Sequence, residues 1–197
     1  MSNKEVEVGE DLKRVIQILK AGGIVIIPAD TVFIPACRMD KTDTIKRLYK
    51  IKKRSKNQPT LVLVNSVSMA KKYVAITEAA NKLIKKFWPG PLTIIFPAKK
   101  NVPKEIQGGN GTLGVRYPNY PFILKAIKAV GVPILAPSAN FKGKLPPKRF
   151  KDLDKDFIKL ADYVFKGKCK IGKESTVVDA TVIPPNVLRE GAIKLDL

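Results

Sequence analysis

Apolar residues at Leu12, Val15, Ile16 and Leu19 fall three and four apart, which predicts a helix over Asp11 to Lys20. Ala21-Gly22-Gly23 ends it, because glycine accepts a left-handed cap. Ile24 to Ile27 is an unbroken β-branched run closed by Pro28, the pattern of a buried strand. Thr42 to Lys50 predicts a helix with Thr42 as N-cap and Ile45, Leu48 and Tyr49 on one face. Further helices are predicted over Val67 to Tyr73, Glu78 to Phe87, Pro121 to Val130 and Asp152 to Leu160. Short strands are predicted over Thr60 to Val64, Leu92 to Phe96, Thr112 to Arg116, Ile134 to Ala136, Tyr163 to Phe165, Thr176 to Asp179 and Val187 to Arg189. Strands and helices alternate, which makes the class α/β, with a twisted mixed sheet flanked by helices. No repeat or low-complexity linker divides the chain, so one domain over residues 1–197 is expected.

Composition narrows the chemistry. The chain contains no histidine, which excludes a Ser-His-Asp triad, a Cys-His dyad and an imidazole base. Zinc-finger and histidine-based metal sites go with it, since the two cysteines, Cys37 and Cys169, are far apart. Both cysteines read as structural residues of a reducing compartment. No apolar run approaches the roughly 18 residues needed to cross a bilayer. The stretch from Met1 to Asp11 is polar and acidic, unlike a signal peptide. A cytoplasmic protein with no membrane association is expected. The balance of 37 Lys+Arg against 17 Asp+Glu gives a net charge of +20, which favours polyanions: RNA, DNA or phosphorylated small molecules. A solvated lysine-rich surface is the plainer alternative.

No Walker P-loop, G-x-G-x-x-G or kinase signature is present, so any nucleotide site is of another kind. Five segments place polar residues at strand ends, where α/β proteins bind ligands. Asp30 and Thr31, after the first strand, suit a small polar ligand or an Asx-bonded turn. Lys52 and Arg54, two apart in a lysine-rich turn, can hold one phosphate chain or form a solvated face. Arg116 closes an apolar strand and can take a carboxylate bidentately, or make a surface ion pair. Ala136-Pro137-Ser138-Ala139-Asn140 allows close backbone approach and offers polar groups, or is an ordinary strand exit. Ser175 and Arg189 flank the last two strands.

Taken in order, these segments resemble the YrdC-like family of threonylcarbamoyl-AMP synthases. The family pattern runs P-T-D-T-V-Y-G-L-G, L-Y-x-x-K-x-R-x-x-x-x-P-L, W-P-G-P-L-T, V-x-V-R-x-P, A-P-S-A-N-x-S-G, S-T-V-V-D and L-R-x-G. The matches are Pro28 to Val32, Leu48 to Leu61, Trp88 to Thr93, Val115 to Pro118, Ala136 to Asn140, Ser175 to Asp179 and Leu188 to Gly191. The resemblance spans almost the whole chain and is similar to single-domain members, without the extra C-terminal domain of longer ones. It implies a YrdC-like fold around a deep basic cleft, and synthesis of threonylcarbamoyl-AMP and pyrophosphate from L-threonine, bicarbonate or CO2, and ATP. Mg2+ is implied as the companion of ATP, with no protein side chain assigned to it. The product would pass to a downstream tRNA threonylcarbamoyl transferase.

Carried over by motif, Thr31, Arg116, Ala136 and Ser175 are implied to hold threonine, with Arg116 pairing its carboxylate. Lys52, Arg54, Asn57, Thr112, Ser138, Asn140, Pro146 and Arg189 are implied around ATP. Among them Lys52, Arg54, Ser138 and Asn140 are implied nearest the reacting phosphates. The chain departs from the pattern at Ala29, at Phe33-Ile34-Pro35-Ala36, at Leu63 and at Lys142. Pro35 lacks an N–H, so hydrogen bonds made by N–H groups there could not be retraced. These changes cluster on the threonine side, so nucleotide binding is expected to be better preserved than threonine specificity. The alternatives are a non-catalytic member that binds nucleotide or double-stranded RNA, and an enzyme with another acceptor.

Overall fold

The computed structural model describes residues 6–53, 60–109 and 111–195. Its elements in chain order are β1 (Glu7–Gly9), α1 (Leu12–Lys20), β2 (Val25–Pro28), β3 (Phe33–Arg38), α2 (Thr42–Ile51), β4 (Leu61–Leu63), α3 (Val67–Lys71) and α4 (Glu78–Phe87). They continue with β5 (Leu92–Pro97), β6 (Thr112–Arg116), α5 (Pro121–Val130), β7 (Ile134–Leu135), α6 (Lys155–Ile158), β8 (Tyr163–Phe165), β9 (Thr176–Asp179) and β10 (Asn186–Arg189). The strands form one sheet in the order β1-β8-β2-β3-β7-β4-β6-β5-β9-β10. Parallel pairs (β1 with β8, β2 with β8, β4 with β6, β5 with β9) mix with antiparallel ones such as β2 with β3 and β5 with β6. The expected mixed α/β class is the observed one.

Buried side chains alternate between the two faces, as a strand period of two requires. Ile24 and Ile26 join a core with Leu48 of α2, Ile84 of α4 and Phe157 of α6. Val25 and Ile27 point the other way, to Val15 and Leu19 of α1 and Ile123 and Ile127 of α5. Sandwiching between two helical layers explains why β2 is continuously apolar.

The structure corrects four details. Thr42 is the first helical residue of α2 and not its cap; the cap is Lys41, with no side-chain hydrogen bond. The predicted helix over Asp152 to Leu160 breaks into a 3-10 turn at Phe150–Asp152 and the short α6. Asp154 forces that restart, capping the amides of Asp156 and Phe157 at 2.8 and 3.1 Å. The helix predicted to reach Tyr73 ends at Lys71. Finally, the Phe33 to Ala36 stretch, which lies in none of the predicted elements, is part of a central strand, β3.

Pro35 fits there for a geometric reason. The Phe33 amide donates to the Pro147 carbonyl and the Phe33 carbonyl accepts from Ala139, so Phe33 turns its polar atoms away from β2. Two residues on, the nitrogen of Pro35 faces the same way. Opposite Ile26, it occupies a position where the β2–β3 ladder needs no donor.

Candidate active site

The two helical layers cover the sheet unequally. On the face buried by α1 and α5 behind β2 and β7, the strands β6, β5 and β9 are left uncovered. Leu113, Val115, Ile94, Phe96 and Val178 point to the opposite core. Their alternating neighbours Thr112, Gly114, Arg116, Thr93, Ile95 and Val177 line a cavity of about 310 Å3. That volume is at the low end of small-molecule sites. Gly114 forms a bare floor: a Cβ there would stand 3.5 Å from Leu61 Cβ and Thr93 Cγ2, an ordinary contact.

At one end, Arg116 closes β6 with 2% exposure, its Nη1 2.9 Å from Asp30 Oδ1, which is equally buried. Asp30 is held in turn by its own carbonyl, which accepts from the amides of Lys170 and Ile171 at 3.1 and 2.8 Å. The pair is incompletely satisfied, because Asp30 Oδ2 and Arg116 Nε are buried without hydrogen-bond partners. Burial pulls the Arg116 guanidinium below its usual range, Asp30 opposes this, and the nearby charge of Arg189 adds to the lowering. Arginine nevertheless stays charged, so the site carries a fixed cation. Ser175, just before β9, shares a 2.8 Å hydrogen bond with Thr93. Thr31 and Ala136 complete this end of the wall.

Arg189 ends β10 and reaches back over the Ser175 segment. Its Nε and Nη2 donate to the Ser175 carbonyl at 3.2 and 2.9 Å, and its Nη1 pairs with Glu174 Oε1 at 2.9 Å. Gly191 makes this overlay feasible. Its amide donates to Thr176 Oγ1 at 3.0 Å, and a Cβ there would lie 2.5 Å from the carbonyl oxygens of both Glu174 and Ser175. Thus the L-R-x-G motif is one device: an arginine placed by a close backbone crossing that only glycine permits.

Lys52 caps the C-terminus of α2 and crosses to the Ala136–Asn140 segment. Its Nζ donates to the Ser138 carbonyl at 2.7 Å, to the Asn140 carbonyl, and to Asn140 Oδ1 at 3.2 Å. The Asn140 amide donates in turn to the Lys144 carbonyl. Lys52, Ser138, Thr112 and Arg189 therefore share the cavity wall with Thr31, Arg116, Ala136 and Ser175. Asn140 is tied to this wall through Lys52, and Pro146 lies in the following loop, outside the lining. Arg54 and Asn57 lie outside the described residues.

The sequence reading assigned no role to Thr93, Gly114 or Glu174, which the structure brings to the cavity. Thr93 could have been found from the alternation of β5, and Glu174 from its place beside Ser175. W-P-G-P-L-T is otherwise structural: Trp88 Nε1 donates to the Leu92 carbonyl at 2.8 Å and Gly90 N to the Tyr117 carbonyl at 2.8 Å. Among the described residues no cluster of three or more His, Cys, Asp or Glu side chains could hold a metal, and no helix is long and apolar enough to cross a membrane. Cys37 and Cys169 are both free thiols.

Comparison with known proteins agrees with this geometry. The family model described as "Telomere recombination", Sua5/YciO/YrdC, matches residues 17–191. The threonylcarbamoyl-AMP synthase of Pyrococcus abyssi is 36% identical over 90% of this chain and 53% of its own length. A putative threonylcarbamoyl-AMP synthase of Methanocaldococcus jannaschii is 34% identical over 94% of this chain and 90% of its own. Against the first, and against the Bacillus subtilis synthase, the chain spans about half of the relative's length. The crystal structure of P. abyssi Sua5 complexed with L-threonine superimposes with a TM-score of 0.87 at 33% identity, covering 94% of this chain and 57% of that one. Escherichia coli YciO, at 23% identity and a TM-score of 0.84, shares the fold. With the motifs in order, the sheet and the cavity all in agreement, the chain belongs to the Sua5/YciO/YrdC family.

Proposed function

We propose that this protein is a nucleotidyltransferase that joins L-threonine, bicarbonate and ATP into threonylcarbamoyl-AMP, releasing pyrophosphate. One observation carries the reading: a single cavity holds the buried Arg116 and Ser175 together with Lys52, Ser138 and Arg189. In this reading a carboxylate-binding corner and a phosphate-binding wall share one cavity. The names of the P. abyssi and M. jannaschii relatives, and the L-threonine in the P. abyssi Sua5 structure, support it.

In this reading the threonine carboxylate pairs with Arg116 and Ser175, with Thr31 and the Ala136 backbone around its amine and hydroxyl. The amine and bicarbonate give a carbamate and water. A carbamate oxygen attacks the α-phosphorus of ATP, the bond to the bridging oxygen breaks, and pyrophosphate leaves. No covalent nucleophile or imidazole is required; the chain's residues position three anionic reactants and stabilise charge developing on phosphorus. Lys52, Thr112, Ser138, Asn140, Pro146 and Arg189, with Arg54 and Asn57, surround the nucleotide. Magnesium arrives with ATP as part of the substrate. The one carboxylate among the described lining residues, Glu174, is engaged by Arg189, and hard octahedral Mg2+ is well served by phosphate and water oxygens. The product's mixed anhydride makes it an acyl donor for a tRNA threonylcarbamoyl transferase.

The test is pyrophosphate release from MgATP and bicarbonate with and without L-threonine, using serine and glycine as controls. Threonine-dependent release, abolished in Arg116→Ala and Lys52→Ala, is expected. ATP binding without any release would instead favour the binding-only or altered-acceptor reading.

A further inference from the structure

We infer that Leu188 contacts the base of the bound nucleotide, forming with Val177 and Ile95 an apolar shelf on which the ring lies; the inference rests on the reading above. Leu188 and Arg189 are consecutive in β10, yet both line the cavity. In a regular strand, consecutive side chains point to opposite faces. The register explains the exception. Val187 pairs with Val178, which faces the opposite core, and Arg189 pairs with Val177, which lines the cavity. Leu188 is the extra residue between these two pairs, a β-bulge. It follows Val187 onto the cavity face, and the bulge keeps Arg189 on that face too. Leu188 is 54% exposed, so its side chain is open to a ligand.

One exposed leucine is ordinary on a protein surface. Here three accessible apolar side chains stand on consecutive strands of one cavity wall: Ile95 on β5, Val177 on β9 and Leu188 on β10. Such a surface suits the flat, apolar face of a ring. Position says which part of the substrates it meets. The strand order β6-β5-β9-β10 sets β10 three strand spacings from the strand that Arg116 closes, about 14 Å at about 4.8 Å each. Threonine, between Arg116 and Ala136, lies toward β7, on the other side of β6 from β10. The phosphates, at Lys52 and Ser138, lie toward β7 as well. The base is the part of the substrates left to reach β10. Arg189 leaves the shelf uncovered, because its Nη2 turns back to the Ser175 carbonyl at 2.9 Å. The bulge thus lets two consecutive residues supply an apolar contact and a cation to one nucleotide.

The experiment measures two dissociation constants with Mg2+ on the full chain, for wild type, Leu188→Ala and Leu188→Met. One ligand is a non-hydrolysable ATP analogue; the other is ribose 5-triphosphate, which lacks the base. Wild type should bind the ATP analogue more tightly. Leu188→Ala should weaken the analogue roughly three- to tenfold, the effect of covering the exposed part of a leucine. It should leave the Kd of ribose 5-triphosphate unchanged. Leu188→Met, which keeps an apolar reach, should bind the analogue within twofold of wild type. An analogue Kd for Leu188→Ala within twofold of wild type overturns the assignment. Equal losses for both ligands also overturn it, because Leu188 would then act by placing Arg189. So does a wild type that binds the two ligands equally, a comparison that needs no variant to fold. Self-association of wild type that Leu188→Ala abolishes, with analogue affinity unchanged, would give the shelf to a second copy and overturn it too. Wild-type protein that binds neither ligand would overturn the synthase reading, and this assignment with it.

Discussion

Replacing Arg116 by leucine removes one half of a buried ion pair and leaves the Asp30 carboxylate behind. Both partners are 2% exposed and meet at 2.9 Å, so solvent screens them little. Breaking a pair of this kind by removing one partner costs about 3–5 kcal/mol, because an uncompensated charge stays in a low-dielectric site. The lower figure applies here, since Arg116 borders the cavity and water can enter behind its substitute. For a chain of this size 1 kcal/mol corresponds to about 2–4 °C, so the melting temperature should fall by about 6–12 °C. The double variant Asp30→Ala/Arg116→Leu removes both charges. It should recover much of that loss, because the pair is itself poorly satisfied, with Asp30 Oδ2 and Arg116 Nε unpartnered. Urea unfolding of the two single variants and the double variant forms a cycle with a coupling of a few kcal/mol. Calorimetry with L-threonine adds the functional arm: wild type should be stabilised, and both variants lacking Arg116 should show no shift. A single-variant cost below about 1 kcal/mol, or a double variant no more stable than Arg116→Leu, would refute the argument that the pair is buried and coupled.

Gly114→Ala should raise the cavity floor while leaving the fold intact, because its Cβ meets Leu61 and Thr93 at ordinary contact distance; substrate binding should weaken with a stability change under about 1.5 kcal/mol, checked by titration and melting. Gly191→Ala should do the opposite, costing about 1–3 kcal/mol by pushing against the Glu174 and Ser175 carbonyls and displacing Arg189, read as lower stability together with a raised KM for ATP. Burial pushes the Cys37 thiol from 9.0 up to about 12 and the Cys169 thiol up to about 11. Both groups are neutral when protonated, so their stabilisation is complete below pH 9 and is lost as pH rises through those values; alkylation of the buried Cys37 at pH 8 should require unfolding, and rapid labelling of Cys37 in native protein would contradict this.

Most of the element order was legible because apolar runs and their breakers are local signals. The strand Thr112 to Arg116, the helix Pro121 to Val130 and the strand Tyr163 to Phe165 have the predicted ends. Gly131 takes φ 82° at the helix cap, as its position after Val130 foretold. β1 and β3 were not legible. β1 is three residues long and exists by pairing with β8, far away in sequence. β3 carries a proline in its centre, and only its pairing register shows that no donor is missing there. At the site, motif residues were legible one by one, but their partners were not. Asp30 reads as a turn residue until Arg116 is seen against it, and Glu174 as a loop charge until Arg189 returns to it. Contacts across 86 and 15 residues leave no periodicity to detect.

A chain with a net charge of +20 can keep an ordered site for the proposed anionic substrates. Among the described residues three cations line the cavity, Lys52, Arg116 and Arg189, against one lining carboxylate, Glu174, a balance of 3 − 1 = +2 for those residues. Each cation already has a protein acceptor: the carbonyls of Ser138 and Asn140, the carboxylate of Asp30, and Glu174 with the Ser175 carbonyl. Those acceptors fix the geometry before any ligand arrives, which is the condition for electrostatic catalysis without reorganisation. They also limit the repulsion of like charges while the cavity is empty, including that between Arg116 and Arg189. An incoming phosphate or carboxylate therefore adds to an arrangement already set. Selectivity would follow from where the fixed cations stand along β6, β10 and the end of α2, and not from the many lysines elsewhere on the surface. On this argument, raising salt should weaken any diffuse polyanion binding steeply, while threonine held at the buried Arg116 should be much less sensitive.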